Sequence, residues 1–204
     1  KGKNKHVEPQ QYIMYGPNSE IQNQIIKRFK SLKSPKRLRT KQTIKMLASK
    51  TKEWNKAKYV MFCNKMLLFK IKKFLTFNKR YFIIPLCVIF NNSFHANVLI
   101  YDKVKQELER FNPNGNSESM GGAIDYVCKQ FGKENNLIKD DSDYISPYNL
   151  CPNILANPQS RQVGNNSNFK GSCATWCMWY IHLRLSNPNV NREEIIEYAL
   201  TNIN

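Results

Sequence analysis

The chain reads as an α+β protein in which a small, mostly antiparallel sheet carries a central buried helix and is preceded by a helical extension. Three observations predict this. Residues 81–111 form β-branched and aromatic runs separated by turn residues, the pattern of a strand meander. The run from Cys173 to Leu185, CATWCMWYIHLRL, is apolar nearly all round, as in a helix enclosed by its neighbours. Charge is also partitioned: up to Arg80 there are 22 Lys/Arg against three acids, while from Tyr81 onward 10 Lys/Arg meet 12 Asp/Glu. The whole excess of the formal +17 thus lies in the first two-fifths of 204 residues. We place a basic, mainly helical lobe at 1–58 and the main domain at 59–204. Hydrophobic content of 41%, with 12% aromatics, excludes a disordered chain.

Each element has its own signal. Residues 1–18 are polar, with Pro9, Gly16 and Pro17, and form a lead-in. Ser19 caps a helix whose Ile21, Ile25, Ile26 and Phe29 recur at helical spacing. Lys33–Arg39, holding Pro35, is a basic connector. Thr40 opens a second helical pattern, with Ile44, Leu47 and Trp54 on one side. Tyr59–Phe77 suits either a strand pair or a strand followed by a helix. Tyr81–Phe90 is a strand interrupted at Pro85. Phe94–Tyr101 and Gln106–Phe111 are consecutive antiparallel strands joined by a turn at 102–105. Ser119 to Phe131 is a helix with Ile124, Val127 and Cys128 inward, and 140–170 is mostly loop. Cys173–Leu185 and Arg192–Leu200 are the last two helices.

Three polar residues in these elements point to chemistry. Cys173, after Gly171-Ser172, opens the apolar helix, where the unpaired N–H groups and the positive end of the dipole favour thiolate over thiol. His95 opens the strand HANVLIY, where alternation puts it on one face with Asn97, Leu99 and Tyr101. An imidazole with an unperturbed pKa of about 6.5 serves as base and then acid at neutral pH. Asn112 closes the next strand, 17 residues on, and antiparallel pairing makes it a neighbour of His95. An amide oxygen can fix the ring plane and tautomer of such a histidine as a carboxylate does. Asn114 is an alternative for that role. Cys177, one turn into the helix, is the rival thiol and reads as core. Of the three histidines, His6 lies in the lead-in and His182 inside the helix. Gln159 and Gln162 precede Cys173 by 14 and 11 residues, and either amide could serve as an oxyanion donor.

The blocks HANVLIYD, LERFNPNG, CPNILANPQ and GSCATWCMWYIHLRLSNP resemble those of the ubiquitin-like-protein protease clan. Within it, the chain is most similar to the cysteine proteases of giant viruses over about residues 80–200. SUMO proteases of the clan usually carry Trp where Ala96 stands and Asp where Asn112 stands. The resemblance implies a papain-like cysteine protease fold with Cys173 as nucleophile, His95 as base, Asn112 as orienting residue and Gln159 or Gln162 as oxyanion donor. It implies no cofactor and a substrate ending in Gly-Gly, either ubiquitin or a ubiquitin-like modifier, or a site in a viral polyprotein. A zinc site is disfavoured, because Cys173 and Cys177 have no second paired set. The basic residues 1–80 could contact nucleic acid or an acidic partner. No stretch reaches the roughly 18 apolar residues of a membrane span. Six scattered cysteines point to a reducing intracellular compartment rather than a disulfide scaffold.

Overall fold

A computed structural model describes residues 12–15, 44–50, 57–90, 93–115, 118–150 and 173–201. These form a mixed α+β fold built on one seven-stranded sheet. The strands are β1 (Tyr12–Tyr15), β2 (Ile44–Lys50), β3 (Ala57–Asn64), β4 (Tyr81–Phe90), β5 (Ser93–Asp102), β6 (Glu107–Phe111) and β7 (Tyr144–Ile145). The helices are α1 (Lys65–Thr76), α2 (Glu118–Glu134), the short α3 (Pro147–Leu150), α4 (Cys173–Ser186) and α5 (Arg192–Thr201). The spatial order is β1-β3-β2-β4-β5-β6-β7, antiparallel except for the β2–β4 and β6–β7 pairs.

Alternation along β5 divides the core between the two faces of the sheet. Leu99 and Tyr101 point to one side, where they meet Leu67, Ile71 and Phe74 of α1 and Val127, Cys128 and Phe131 of α2. Val98 and Ile100 point to the other, where they meet Trp176, Cys177 and Tyr180 of α4 together with Leu150 and Ile196. Helices therefore cover both faces, and β5, between β4 and β6, is buried from Asn97 to Asp102. In α1 the buried residues recur at helical spacing, and Lys65, Lys70, Lys72 and Lys73 are exposed on the opposite side.

The structure corrects the second of the helices expected near the N-terminus. Ile44–Lys50 is a strand, although Ile44 and Leu47 stand three apart as on a helix face. It pairs antiparallel with β3 and parallel with β4, so hydrogen bonding on both sides decides a segment whose local pattern is ambiguous. The described residues within 1–58 all lie in strands, and β1 and β2 belong to the same sheet as β4–β6, so the sheet runs through the expected boundary at 58. The helix expected after Ser19, and Trp54, lie outside the described residues. The ambiguous 59–77 segment is strand β3 followed by helix α1. Pro85 does not interrupt β4: it stands opposite Val98, and pairing with β2 begins only at Leu86. A missing N–H there leaves no ladder bond unmade on the β2 side.

The helix α4 also differs from its expectation as an enclosed helix. It buries a stripe formed by Trp176, Cys177, Tyr180 and Arg184, while Met178 and Leu185 are exposed. Tyr180 stacks on Phe111 of β6 with centroids 4.2 Å apart and planes 9° from parallel. Beside this stack lies a buried ionic cluster. Oε1 of Glu109 accepts from Tyr180 Oη at 3.2 Å and from Arg184 Nε at 3.0 Å, and Oε2 accepts from Arg192 Nε. Arg192 also bonds Glu107. One glutamate on β6 thus ties down α4 and α5. Removing one member of such a cluster leaves buried charge uncompensated. Glu109→Ala should therefore cost about 3–5 kcal/mol in urea unfolding. A loss under about 1 kcal/mol would show that the two arginines are held by something else.

Candidate functional site

The site forms where β6 stops. The β5–β6 ladder ends with Val98 opposite Phe111, so β5 continues through Asn97, Ala96 and His95 without β6 beside it. The chain leaves β6 through a turn at Asn112–Gly115, closed by the Gly115 amide donating to the Asn112 carbonyl at 2.8 Å. Gly115 has φ 64°, a left-handed conformation that glycine adopts without cost. This turn brings the Asn112 side chain to His95.

The imidazole Nε2 lies 2.6 Å from Asn112 Oδ1. The identity of the amide ends follows from their other partners. Nδ2 of Asn112 donates to the Gly115 carbonyl at 2.8 Å, while Oδ1 accepts from the Asn114 amide at 3.2 Å and from Asn97 Nδ2 at 3.4 Å. An amide oxygen only accepts, so Nε2 carries the hydrogen and the neutral ring keeps its lone pair on Nδ1. The surroundings are built for an amide. A carboxylate at 112 would turn an acceptor towards the Gly115 carbonyl where the amide turns a donor.

Cys173 stands at the first residue of α4, half-buried, and its Sγ accepts from the backbone N–H of Ala96 at 3.4 Å. The residue next to His95 therefore holds the thiol through its main chain. Sulfur bearing more negative charge accepts that bond more strongly. Cys177 is buried in the core beneath α4, and burial, with Cys173 adding to it, pushes its thiol well up. Burial also raises Cys63 and Cys128 to about 12. Among the described thiols Cys173 and Cys87 are half-buried, and Cys63, Cys128 and Cys177 are buried.

Burial lowers the His95 pKa from its ordinary 6.5; the Asn112 bond opposes the shift and the Arg110 charge adds to it. The ring therefore stays neutral, able to accept a proton, to below the usual imidazole range. The same shift links to stability. The unfolded chain takes up the His95 proton first, so this contribution is full above pH 6.5 and is lost as pH falls through the lower folded value.

Of the other expected residues, Asn114 meets the site through its main-chain N–H, His182 is exposed on α4, and Trp176 and Trp179 pack edge to face against each other at the core. Gln159, Gln162 and His6 lie outside the described residues. Two buried residues beside the pair escape sequence reasoning. Asn97 is 3% and Arg110 1% exposed, and Arg110 donates to Asn97 Oδ1 at 2.7 Å. Arg110 is in turn held by Asp125 of α2 at 2.9 Å and by Tyr144 Oη at 3.2 Å. The available signal is positional: Asn97 is two residues after His95, Arg110 two before Asn112, and alternation puts all four on one face. Among the described residues no three His, Cys, Asp or Glu side chains gather as a metal-ligand set.

Comparison with known proteins is sparse. No family model matches the chain, and no solved structure does. A protein of Acanthamoeba polyphaga mimivirus named "Putative ankyrin repeat protein" is 25% identical over an alignment of 146 residues, which covers 61% of this chain. The alignment spans 18% of that protein's length.

Two outcomes follow from the geometry. Iodoacetamide should label Cys173 in the native protein and leave Cys63, Cys128 and Cys177 unmodified until it unfolds, as peptide mapping would read; native labelling of Cys177 would contradict its burial. Asn112→Asp should lose about 1–3 kcal/mol to the unmatched acceptor and raise the His95 midpoint, because an anion beside the ring favours imidazolium. An NMR titration that finds His95 unchanged or lowered in this variant would refute the arrangement.

Proposed function

We propose that the chain is a cysteine protease acting by thioester chemistry on the C-terminal Gly-Gly of ubiquitin or a ubiquitin-like modifier, a viral deubiquitinase or its close equivalent. The observation that carries the reading is the His95 Nε2–Asn112 Oδ1 contact of 2.6 Å on the residue beside Ala96, whose amide meets Cys173 Sγ at 3.4 Å. A thiol at a helix N-terminus, next to a histidine oriented by an amide, is the constellation that thiol proteases use on several folds. The papain-like assignment draws on the same arrangement, with α4 lying against β5 and β6. The Gly-Gly specificity draws on the four sequence blocks shared with the ubiquitin-like-protein protease clan. The likeness to a mimivirus protein supports the viral setting. Its ankyrin name brings nothing further to this chain, whose matched portion is a small part of that protein.

The proposed steps give each of these residues one part. Nδ1 of His95 takes the Cys173 proton, and the thiolate attacks the carbonyl carbon of the terminal glycine. The carbonyl oxygen becomes an oxyanion, which the backbone N–H groups at the start of α4, with Gln159 or Gln162, would hold. The tetrahedral species collapses, the C–N bond breaks, and His95 returns the proton to the departing amine. His95 then draws a proton from water, which attacks the thioester and frees the carboxylate and the thiol. Asn112 holds the ring so that Nδ1, not Nε2, does this work.

Ubiquitin and SUMO bearing a C-terminal electrophile test the reading. Wild type should form a covalent adduct with one of them, Cys173→Ala none, and His95→Ala should slow the reaction by about 100- to 10,000-fold. An adduct that survives Cys173→Ala and is lost in Cys177→Ala would overturn the nucleophile. Failure with both probes would remove the modifier specificity. For wild type, the adduct rate should fall on the acid side only below pH 6.5, in keeping with the lowered His95. An acid limb centred above that value would contradict a ring kept neutral by burial.

A further inference from the structure

We propose that Asn97 and Arg110 are positioning residues of this site: they fix which end of the Asn112 amide faces His95, and through it the tautomer of the imidazole. The purpose served rests on the cysteine-protease reading, while the device itself stands on hydrogen-bond polarity.

A side-chain amide presents oxygen or NH2 according to a half-turn about its last bond, and the two ends have nearly the same shape. If Asn112 turned over, His95 would meet a donor, the Nε2 hydrogen would have to move to Nδ1, and the lone pair would point away from any proton to be taken. Two of the contacts opposing that turn come from the Asn112–Gly115 turn itself, the Asn114 amide and the Gly115 carbonyl. The third comes from β5, where the amide of Asn97 donates to Oδ1 of Asn112 at 3.4 Å. Asn97 would be as reversible as Asn112 but for Arg110. A guanidinium has only donors and does not lose its proton in proteins. At 2.7 Å it admits only the oxygen end of Asn97, which leaves the NH2 end for Asn112.

Arg110 is itself buried and bonded on its far side. Its Nε donates to Asp125 at 2.9 Å and to Tyr144 Oη at 3.2 Å, and that hydroxyl donates to Asp125 at 2.6 Å. The polarity of the chain therefore begins at a group that cannot reverse, passes through two amides and ends at Nε2–H. Burying an arginine is costly unless it is paired and fully bonded. Here the pairing with Asp125 offsets that cost, and the guanidinium reaches the site through Asn97. Its terminus stays charged at every pH at which the protein is folded, so the direction of the chain does not vary with protonation.

Asn97→Leu keeps the volume and removes the donor; Arg110→Met removes the reference charge. The tautomer of His95 is read from long-range proton–nitrogen spectra of the three imidazoles, alongside the rate at which Cys173 reacts with iodoacetamide and with the modifier probes. Wild type should be the Nε2–H form. Both variants should show a mixture of forms and a Cys173 rate lower by about tenfold to a hundredfold. If Asn97→Leu does not fold, Asn97→Asp retains the Arg110 bond and presents an acceptor to Asn112, which should drive His95 towards Nδ1–H. Variants that lose melting temperature but keep the wild-type tautomer and rate would assign Asn97 and Arg110 a structural part only and overturn the proposal. A wild type inert to both modifier probes, with a tautomer that still answers to Asn97, would count against the protease reading and for the positioning device.

Discussion

Val98 of β5 stands opposite Phe111 of β6, and this register decides where β6 runs out and what gathers beyond its end. Past Phe111 the inner strand has lost its neighbour on one side. The Ala96 amide, which more of β6 would have engaged, meets the Cys173 sulfur instead. His95, one residue further back, meets the side chain of the first residue after β6. Lengthening β6 by two residues would fill the position that the thiol occupies. The site is therefore a by-product of unequal strand lengths, and the ten residues of β5 against the five of β6 are its first requirement.

The thiol's position relative to that end is a packing result. The α4 helix is seated by Phe111 against Tyr180 and by Glu109 against Arg184, both contacts originating on β6. The strand that ends to make room for Cys173 also grips the helix that delivers it. A stacked ring pair and a buried ion pair differ in how they resist movement. The first slides at little cost, whereas the second is intolerant of displacement because an arginine drawn away from its glutamate remains buried and unpaired. The ionic contact sets the position and the aromatic one supplies area.

Much of this is legible in the amino-acid sequence, for reasons that also explain what is not. The strands 94–101 and 106–111 can be read because their alternation is clean and the link between them is short, and those two facts bring His95 towards Asn112. The helices beginning near 119, 173 and 192 can be read from their spacing. Ile44–Lys50 reads as helix because three-residue spacing fits both a helix face and the two sides of a strand, and only the pairing with β3 and β4 decides between them. The exposure of Met178 and Leu185 is hidden because a uniformly apolar run does not say which of its faces is covered. Asn97 and Arg110 are hidden differently. Alternation correctly assigns their face, but a polar residue on a strand ordinarily signals solvent, and nothing in one sequence shows that an arginine will be sunk beside an asparagine with Asp125 brought from a helix.

Glu109 and Arg110 are consecutive, and each is buried on the opposite face of the same strand, the glutamate among Arg184 and Arg192, the arginine beside Asp125. Side chains on a strand exchange faces when its pairing shifts by one position. A one-residue slip of β6 would send Glu109 and Arg110 each to the other face, so that both would leave their buried opposite charges without partners together. Apolar alternation alone penalises such a slip by exposing a few side chains, whereas this pair of adjacent opposite charges penalises it twice over in low dielectric. The dipeptide thus works as a parity check on the assembly of the sheet: the chain can close its two cores only when β6 has been counted in correctly, and a correct count is what leaves the slot for Cys173.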